Sequence, residues 1–153
     1  MYLNTKRNGF SLVEVMLAVT FTTVIALGTL GYQYLTIKHG RTTDAQFMAS
    51  RIAQLLLEDW KGESGDADYD PNTLNLGFAP PQSGEYGNYV ITLGNIPFFV
   101  NLQNNDIATD ATAGITLRQI EVTVKWRNDF ARGAIRANDP MLTFTTYVRR
   151  DQG

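Results

Sequence analysis

The chain has 153 residues, a formal net charge of -2, and 44% hydrophobic residues. This length suits one domain, and the slightly acidic balance argues against the basic surface of a nucleic-acid-binding protein. The chain contains no cysteine, which excludes disulfide bonds and thiolate metal sites.

Residues 1–9, MYLNTKRNG, form a short, polar and basic segment that ends at Gly9. An ordinary secretory leader carries its apolar core before the cleavage site, whereas here the apolar run follows Gly9. Conventional cleavage near residues 26–28 stays open as a minor alternative. Lys6 and Arg7 favour a cytoplasmic N-terminus, although further basic residues follow the apolar run.

Residues 10–37 are the most distinctive stretch of the chain. They number 28 and carry one formal charge, that of Glu14. A bilayer core requires about 20 apolar residues in a helix, so this run predicts a membrane-spanning helix. A charged carboxylate inside hydrocarbon costs several kcal/mol or more, so such residues are rare and functional by default. Glu14 is therefore a candidate functional residue.

The helix is predicted to continue to about residue 61, because apolar residues recur at helical spacing on one face. These residues are Ala45, Met48, Ala49, Ile52, Leu55, Leu56 and Trp60. Gly62 is a natural C-terminal stop. Two of the glycines inside the helix, Gly28 and Gly31, lack the four-residue spacing of helix-dimer motifs and predict flexibility instead. The threonines between residues 20 and 29 are expected to bond helix carbonyls.

Residues 62–87 are rich in turn-forming residues and predict an irregular loop between helix and sheet. Asp66, Asp68 and Asp70 alternate in a way that suits a calcium ion. The EF-hand pattern fails, however, because Pro71 and Gly77 occupy the positions of its glycine and its bidentate glutamate. A solvated acidic turn is the favoured interpretation, and calcium binding is left open.

Residues 88–150 predict antiparallel strands. Strands are expected at 89–93 and 97–103, followed by a polar loop at 104–114 and strands at 115–126 and 141–150. Pro97 confines the second strand to an edge or to a first-residue role, and at least one of Phe98 and Phe99 should be in the core. Each later strand alternates apolar and polar residues, so one face of the sheet should pack on the amphipathic half of the helix. The predicted fold class is α+β.

The usual constellations of enzyme chemistry are missing from the sequence. His39 is the one histidine and has no cysteine or paired carboxylate near it. Arg127, Arg132 and Arg136 are interrupted by acidic residues and predict a solvated connection. Trp60 and Trp126 are expected in the core. The sequence predicts no enzyme activity, no cofactor and no metal site.

The segment KRNGFSLVEVMLA, residues 6–18, closely resembles the processing site of type IV prepilins and the related pseudopilins. The resemblance implies that a prepilin peptidase cleaves between Gly9 and Phe10 and that Phe10 is then N-methylated. It also implies that subunits assemble through their apolar helices, with Glu14 paired to the new amino group of a neighbouring subunit. The implied partners are the peptidase, other pilin or pseudopilin subunits, and the bacterial inner membrane.

Departures from the major pilins refine this expectation. Gly31 stands where many of them carry proline, and the C-terminal cysteine pair is absent, which favours a minor subunit that primes the filament or caps its tip. The expected organisation is a leader at 1–9, a transmembrane and assembly segment at 10–37, and an extracytoplasmic domain at 38–153. The N-terminus would face the cytoplasm before assembly into a cell-surface or periplasmic filament.

Two alternatives stay open at this point. Pilus and pseudopilus are not distinguished, and a DNA-uptake role is not excluded. The competing class is a single-pass, membrane-anchored extracytoplasmic binding protein that does not polymerise.

Overall fold

A computed structural model describes residues 11–127 and 135–151. Helix α1 (Leu12–Gly62) is followed by a short 3-10 helix (Pro71–Leu74) and four strands. The strands are β1 (Tyr89–Leu93), β2 (Ile96–Asp110), β3 (Ile115–Trp126) and β4 (Met141–Asp151), and they form one antiparallel sheet in the order β1-β2-β3-β4. This confirms the predicted α+β class with a long N-terminal helix packed on an antiparallel sheet. Gly9 and Phe10 lie outside the described residues.

The chain divides into two compact units, residues 1–41 and residues 42–153. In the first unit every described side chain is exposed, including large apolar ones on all sides of the helix. Its threonines donate hydrogen bonds of 2.7–3.0 Å to the carbonyl four residues earlier, as predicted. Their hydroxyls are satisfied within the helix, so the surface of this half behaves as an apolar one.

In the second unit, α1 buries a narrow stripe against the sheet. The stripe consists of Ala45, Ala49, Ile52, Ala53, Leu56 and Trp60, each at most 6% exposed. The predicted stripe was wrong at Leu55, which is 42% exposed, and it missed Ala53. Leu55 is displaced about 100° around the helix from Leu56, toward a surface that no described residue covers.

The core-facing side of the sheet follows the predicted alternation. Phe98 and Val100 of β2 and Ile120, Val122, Val124 and Trp126 of β3 are at most 2% exposed and belong to one cluster with the helix stripe. Trp60 and Trp126 are therefore core residues, as predicted. On β4 only Val148 is fully buried, because this strand forms the edge of the sheet.

Strand β2 is much longer than predicted. The expected loop at 104–114 was wrong over residues 104–110, which pair with β3 apart from an irregularity between Asp106 and Ala108. The turn is confined to residues 111–114. Asn and Asp are poor strand formers in isolation, but the complementary hydrogen-bonding edge of β3 overrides that preference. The side chains of 104–110 are exposed, which is why their polarity concealed the strand.

The β1–β2 hairpin turns at Gly94 and Asn95, as predicted. Both have positive φ, 55° and 66°, which is the geometry of a two-residue type I′ turn. Pro97 is the second residue of a central strand, contrary to the predicted edge or first position. On β1 it pairs with Thr92, next to the hairpin-closing pair Leu93 and Ile96, and antiparallel pairs alternate between hydrogen-bonded and non-hydrogen-bonded. Its missing N–H therefore belongs to the side facing β3, where pairing begins only at Phe98.

The outward face of the sheet is partly covered near the β1–β2 hairpin. Phe99 is 2% exposed although it points away from Phe98, so both phenylalanines are buried. Lys125, opposite Phe99, is also buried. Its Nζ donates to the carbonyl of Ala137 at 3.3 Å and lies 5.1 Å from the ring centre of Tyr86. The loop before β1, through Tyr86, and the connection between β3 and β4, through Ala137, therefore cover this end of the outward face.

Candidate functional site

Glu14 lies in the first turn of α1, directly after the helix start. Its backbone N–H donates to the carbonyl of Ser11 at 3.0 Å, and the Ser11 hydroxyl oxygen lies 3.2 Å from the same nitrogen. Ser11 and Glu14 have the spacing of a capping box, in which a serine caps the helix and a glutamate follows at the third helical position. Sequence reasoning missed Ser11, and the Ser-x-x-Glu pattern was the signal that could have found it.

The helix itself offers the Glu14 carboxylate one source of electrostatic stabilisation. The positive end of the helix dipole favours an anion in the first turn, by about 0.3–1 kcal/mol. An ion pair would add more, but the next basic residue along the helix is Lys38, 24 residues away. At 1.5 Å per residue this separation is about 36 Å. No basic side chain of the described part of this helix can therefore reach Glu14.

Gly28 and Gly31 lie within the continuous helix. A Cβ atom at either position would meet nothing within 4 Å. Neither glycine is thus required by packing within the described chain. Their role as points of flexibility stays a prediction.

In the acidic segment predicted as a possible calcium site, two carboxylates bond backbone N–H groups of the segment, and Asp66 Oδ1 also lies 3.7 Å from Arg150 Nη2. Asp66 Oδ1 accepts from the backbone N–H of Ala67 at 2.7 Å, and Asp70 caps the 3-10 helix by accepting from Asn72 at 3.0 Å. Among the described residues, no three His, Asp or Glu side chains converge in a way that could hold a metal ion. Calcium binding by this segment stays an untested prediction.

The end of α1 is fastened to this acidic segment by a pair of aromatic residues. Trp60 and Tyr69 stack with ring centres 5.2 Å apart, and Trp60 Nε1 donates to the Asp66 carbonyl at 2.6 Å. The Tyr69 hydroxyl donates to Asp59 Oδ2 at 2.8 Å. Burial, then this hydrogen bond, strongly raises the pKa of Tyr69.

A second fastening joins the loop after α1 to the β2–β3 hairpin. Arg118 is 8% exposed and binds both carboxylate oxygens of Asp106, through Nε at 2.5 Å and Nη2 at 2.8 Å. Its Nη1 donates to the carbonyl of Gly65 at 3.1 Å. The hydrogen bond from Arg118 lowers the pKa of Asp106. A bidentate pair of this kind has fixed geometry, and sequence reasoning missed it because its members are distant along the chain.

The remaining candidates do not form a reactive constellation. His39 lies on α1 in the first unit. Arg127, predicted in a solvated connection, is instead 5% exposed, because it directly follows the buried end of β3. Arg136 is exposed, as expected for a solvated connection, and its backbone N–H donates to Asp139 Oδ2 at 2.7 Å. Arg132 lies outside the described residues.

Comparison with protein-family models, curated proteins and solved structures finds no match for this chain. Within the described residues, α1 is the one helix long and apolar enough to cross a membrane, by length and composition, and it lies near the N-terminus. The site at the start of this helix is the feature from which a function can be argued.

Proposed function

We propose that this protein is a structural subunit of a type IV pilus or a type II secretion pseudopilus. The observation that carries the proposal is Glu14, the one charged residue in the described run 11–37, whose side chains are all exposed. It lies about 36 Å from the next basic residue of that helix. It also follows the Gly9 and Phe10 junction at the position where the prepilin resemblance expects it.

The proposed mechanism supplies Glu14 with a cation from another subunit. Cleavage between Gly9 and Phe10 by a prepilin peptidase creates an amino group on Phe10, which is positively charged at neutral pH and keeps its charge after methylation. A neighbouring subunit, shifted along the filament axis, brings its amino group beside Glu14. A desolvated charge is tolerated when it is paired, so this ion pair selects one register of assembly.

The surface of the first unit suits such an assembly. Its apolar side chains are exposed on all sides, and its threonine hydroxyls are bonded to its own backbone. The helix can therefore move from lipid into a bundle of like helices without exposing unsatisfied polar groups to an apolar environment. Before assembly it would span the inner membrane once, with its N-terminus in the cytoplasm and residues 38–153 outside.

The narrower form of the proposal is a minor subunit that primes the filament or caps its tip. Gly31 in place of a helix-kinking proline, and the absence of cysteine, support it. The resemblance to prepilins supports the family, and the two fastenings at the end of α1 give the second unit rigidity without disulfide bonds.

Replacement of Glu14 by Ala or Gln in the full chain tests the proposal. Both variants should be cleaved and membrane-bound but poorly incorporated into sheared filaments, because neither side chain carries the charge that offsets the neighbouring amine. Thr23→Ala is the matched control, since it lies on the same helix half, carries no charge, and has its hydroxyl bonded to the carbonyl of Val19 at 2.8 Å. Incorporation of Glu14→Ala at the wild-type level would contradict the proposed ion pair. Absence of the wild-type chain itself from sheared filaments would favour the non-polymerising membrane-anchored protein.

A further inference from the structure

A groove on the second unit leaves apolar side chains uncovered. It consists of two adjoining depressions of about 420 and 540 Å³, which share Arg51 and Leu55. Met48, Leu76 and Leu93 contribute to its apolar wall, and Glu58 lies at its other end. Leu55 and Leu76 are 42% and 50% exposed.

The helix side of the groove presents a charge pattern. Arg51, Leu55 and Glu58 follow one another at helical spacing on one face, and all three are exposed. The Arg51 guanidinium lies 4.7 Å from the ring centre of Phe47, which holds it at the rim. Seven residues separate the base from the acid, which corresponds to about 10 Å along the helix. Along α1 the groove therefore carries the basic Arg51, then the apolar Leu55, then the acidic Glu58.

The outward face of the sheet also carries basic, apolar and acidic side chains close together, on β3 and β4. Leu117 and Tyr147 are 39% and 56% exposed. Arg149 is paired with Leu117, and Tyr147 is paired with Gln119, so the tyrosine lies diagonal to Leu117. Glu121 lies on the same face of β3, four residues after Leu117 and about 13 Å from it along the strand. Along the strands, the outer patch therefore has Arg149 beside Leu117 at one end, Tyr147 in the middle and Glu121 at the other end, over about 13 Å compared with about 10 Å between Arg51 and Glu58.

We infer that the groove of one copy receives the outer patch of a second copy. In opposed orientation, Glu58 meets Arg149, Leu55 meets Leu117 and Tyr147, and Arg51 meets Glu121. The internal ion pair between Arg149 and Asp151, with side chains 64% and 73% exposed, is exchangeable at little cost. The contact rests on the broader form of the proposed function, a subunit that repeats along the filament, and not on the narrower minor-subunit form; there it would join successive copies outside the membrane.

The symmetry of this contact agrees with a filament. The groove and the outer patch are different surfaces of one chain, so the interface is heterologous. Each copy keeps one unused groove or patch, and a further copy can add in the same direction. An isologous interface would instead close as a dimer.

Disulfide cross-linking in membranes tests the contact, because the wild-type chain has no cysteine. A full-length chain carrying Leu55→Cys and Leu117→Cys should form covalent dimers and larger species on mild oxidation. The matched control pairs Leu55→Cys with Met141→Cys, which is 64% exposed on β4 but opposite Lys125, far from Leu117. Monomers alone, or equal yields from both pairs, would overturn the contact.

Charge reversal provides an independent measurement. In the Leu55→Cys and Leu117→Cys background, Glu58→Arg or Arg149→Glu alone should lower the cross-linking yield about five-fold, as expected for the loss of a charge pair at an interface. The double reversal should restore it, and failure to do so would count against the pairing. Cross-links without cleavage at Gly9 would support the contact and contradict the filament proposal. Filament incorporation without cross-links would overturn the contact alone.

Discussion

Leu55 and Leu56 provide a direct test of how α1 packs on the sheet. Leu56 is 0% exposed and Leu55 is 42% exposed, although they are adjacent and chemically identical. Leu56→Ala removes side-chain atoms from the core and leaves a cavity, so it should lower the free energy of unfolding by about 3 kcal/mol, within the range of about 2–5 for buried leucines. Leu55→Ala removes atoms from an open groove and should cost about 1 kcal/mol or less.

Urea unfolding of the full chain in detergent measures this difference. Trp60 and Trp126 are each 2% exposed, so their fluorescence reports the loss of the core. With a slope of about 1–3 kcal/mol per molar urea, the Leu56→Ala midpoint should fall by about 1–3 M. Equal effects of the two substitutions would refute the assigned helix face and, with it, the groove beside Leu55.

Two further predictions concern the second unit. Gly84 and Gly87 share a φ of +86°, but a Cβ at Gly87 would collide with the Val100 carbonyl, whereas one at Gly84 meets nothing within 4 Å. Urea unfolding should therefore show Gly87→Ala to be less stable than Gly84→Ala by about 1–3 kcal/mol, and similar values would contradict the close approach. Above about pH 10 the unfolded chain releases the Tyr69 proton while the folded chain keeps it. Stability should thus fall as pH rises, less steeply in Tyr69→Phe, and unchanged steepness would contradict this origin.

The sequence was most informative where periodicity was strong. Residues 115–126 and 141–150 alternate clearly, and both strands were predicted within a residue of their observed ends. The buried helix stripe was predicted except at Leu55 and Ala53, since periodicity defines a face but not how far the partner layer extends. The outer half of β2 was missed because exposed strand positions accept Asn and Asp when a partner strand supplies the hydrogen bonds.

The fastenings of the second unit could not be predicted from local pattern. Arg118 contacts Asp106 and Gly65, which lie 12 and 53 residues away along the chain. Such contacts depend on how the sheet and the loop after α1 meet, which periodicity does not encode. The candidate site, in contrast, could be predicted from the local sequence. Glu14 was found from its sequence alone, because an acid in a long apolar run is costly wherever the rest of the chain lies.

Mass spectrometry of the mature N-terminus, from cells with an intact prepilin peptidase, tests the filament proposal most directly. The predicted product starts at Phe10 and carries one additional methyl group on its amino nitrogen. A chain that still starts at Met1 would contradict the proposal and indicate a plain membrane anchor. A chain that starts near Thr29 would indicate conventional secretion, and either result would leave Glu14 without its proposed partner.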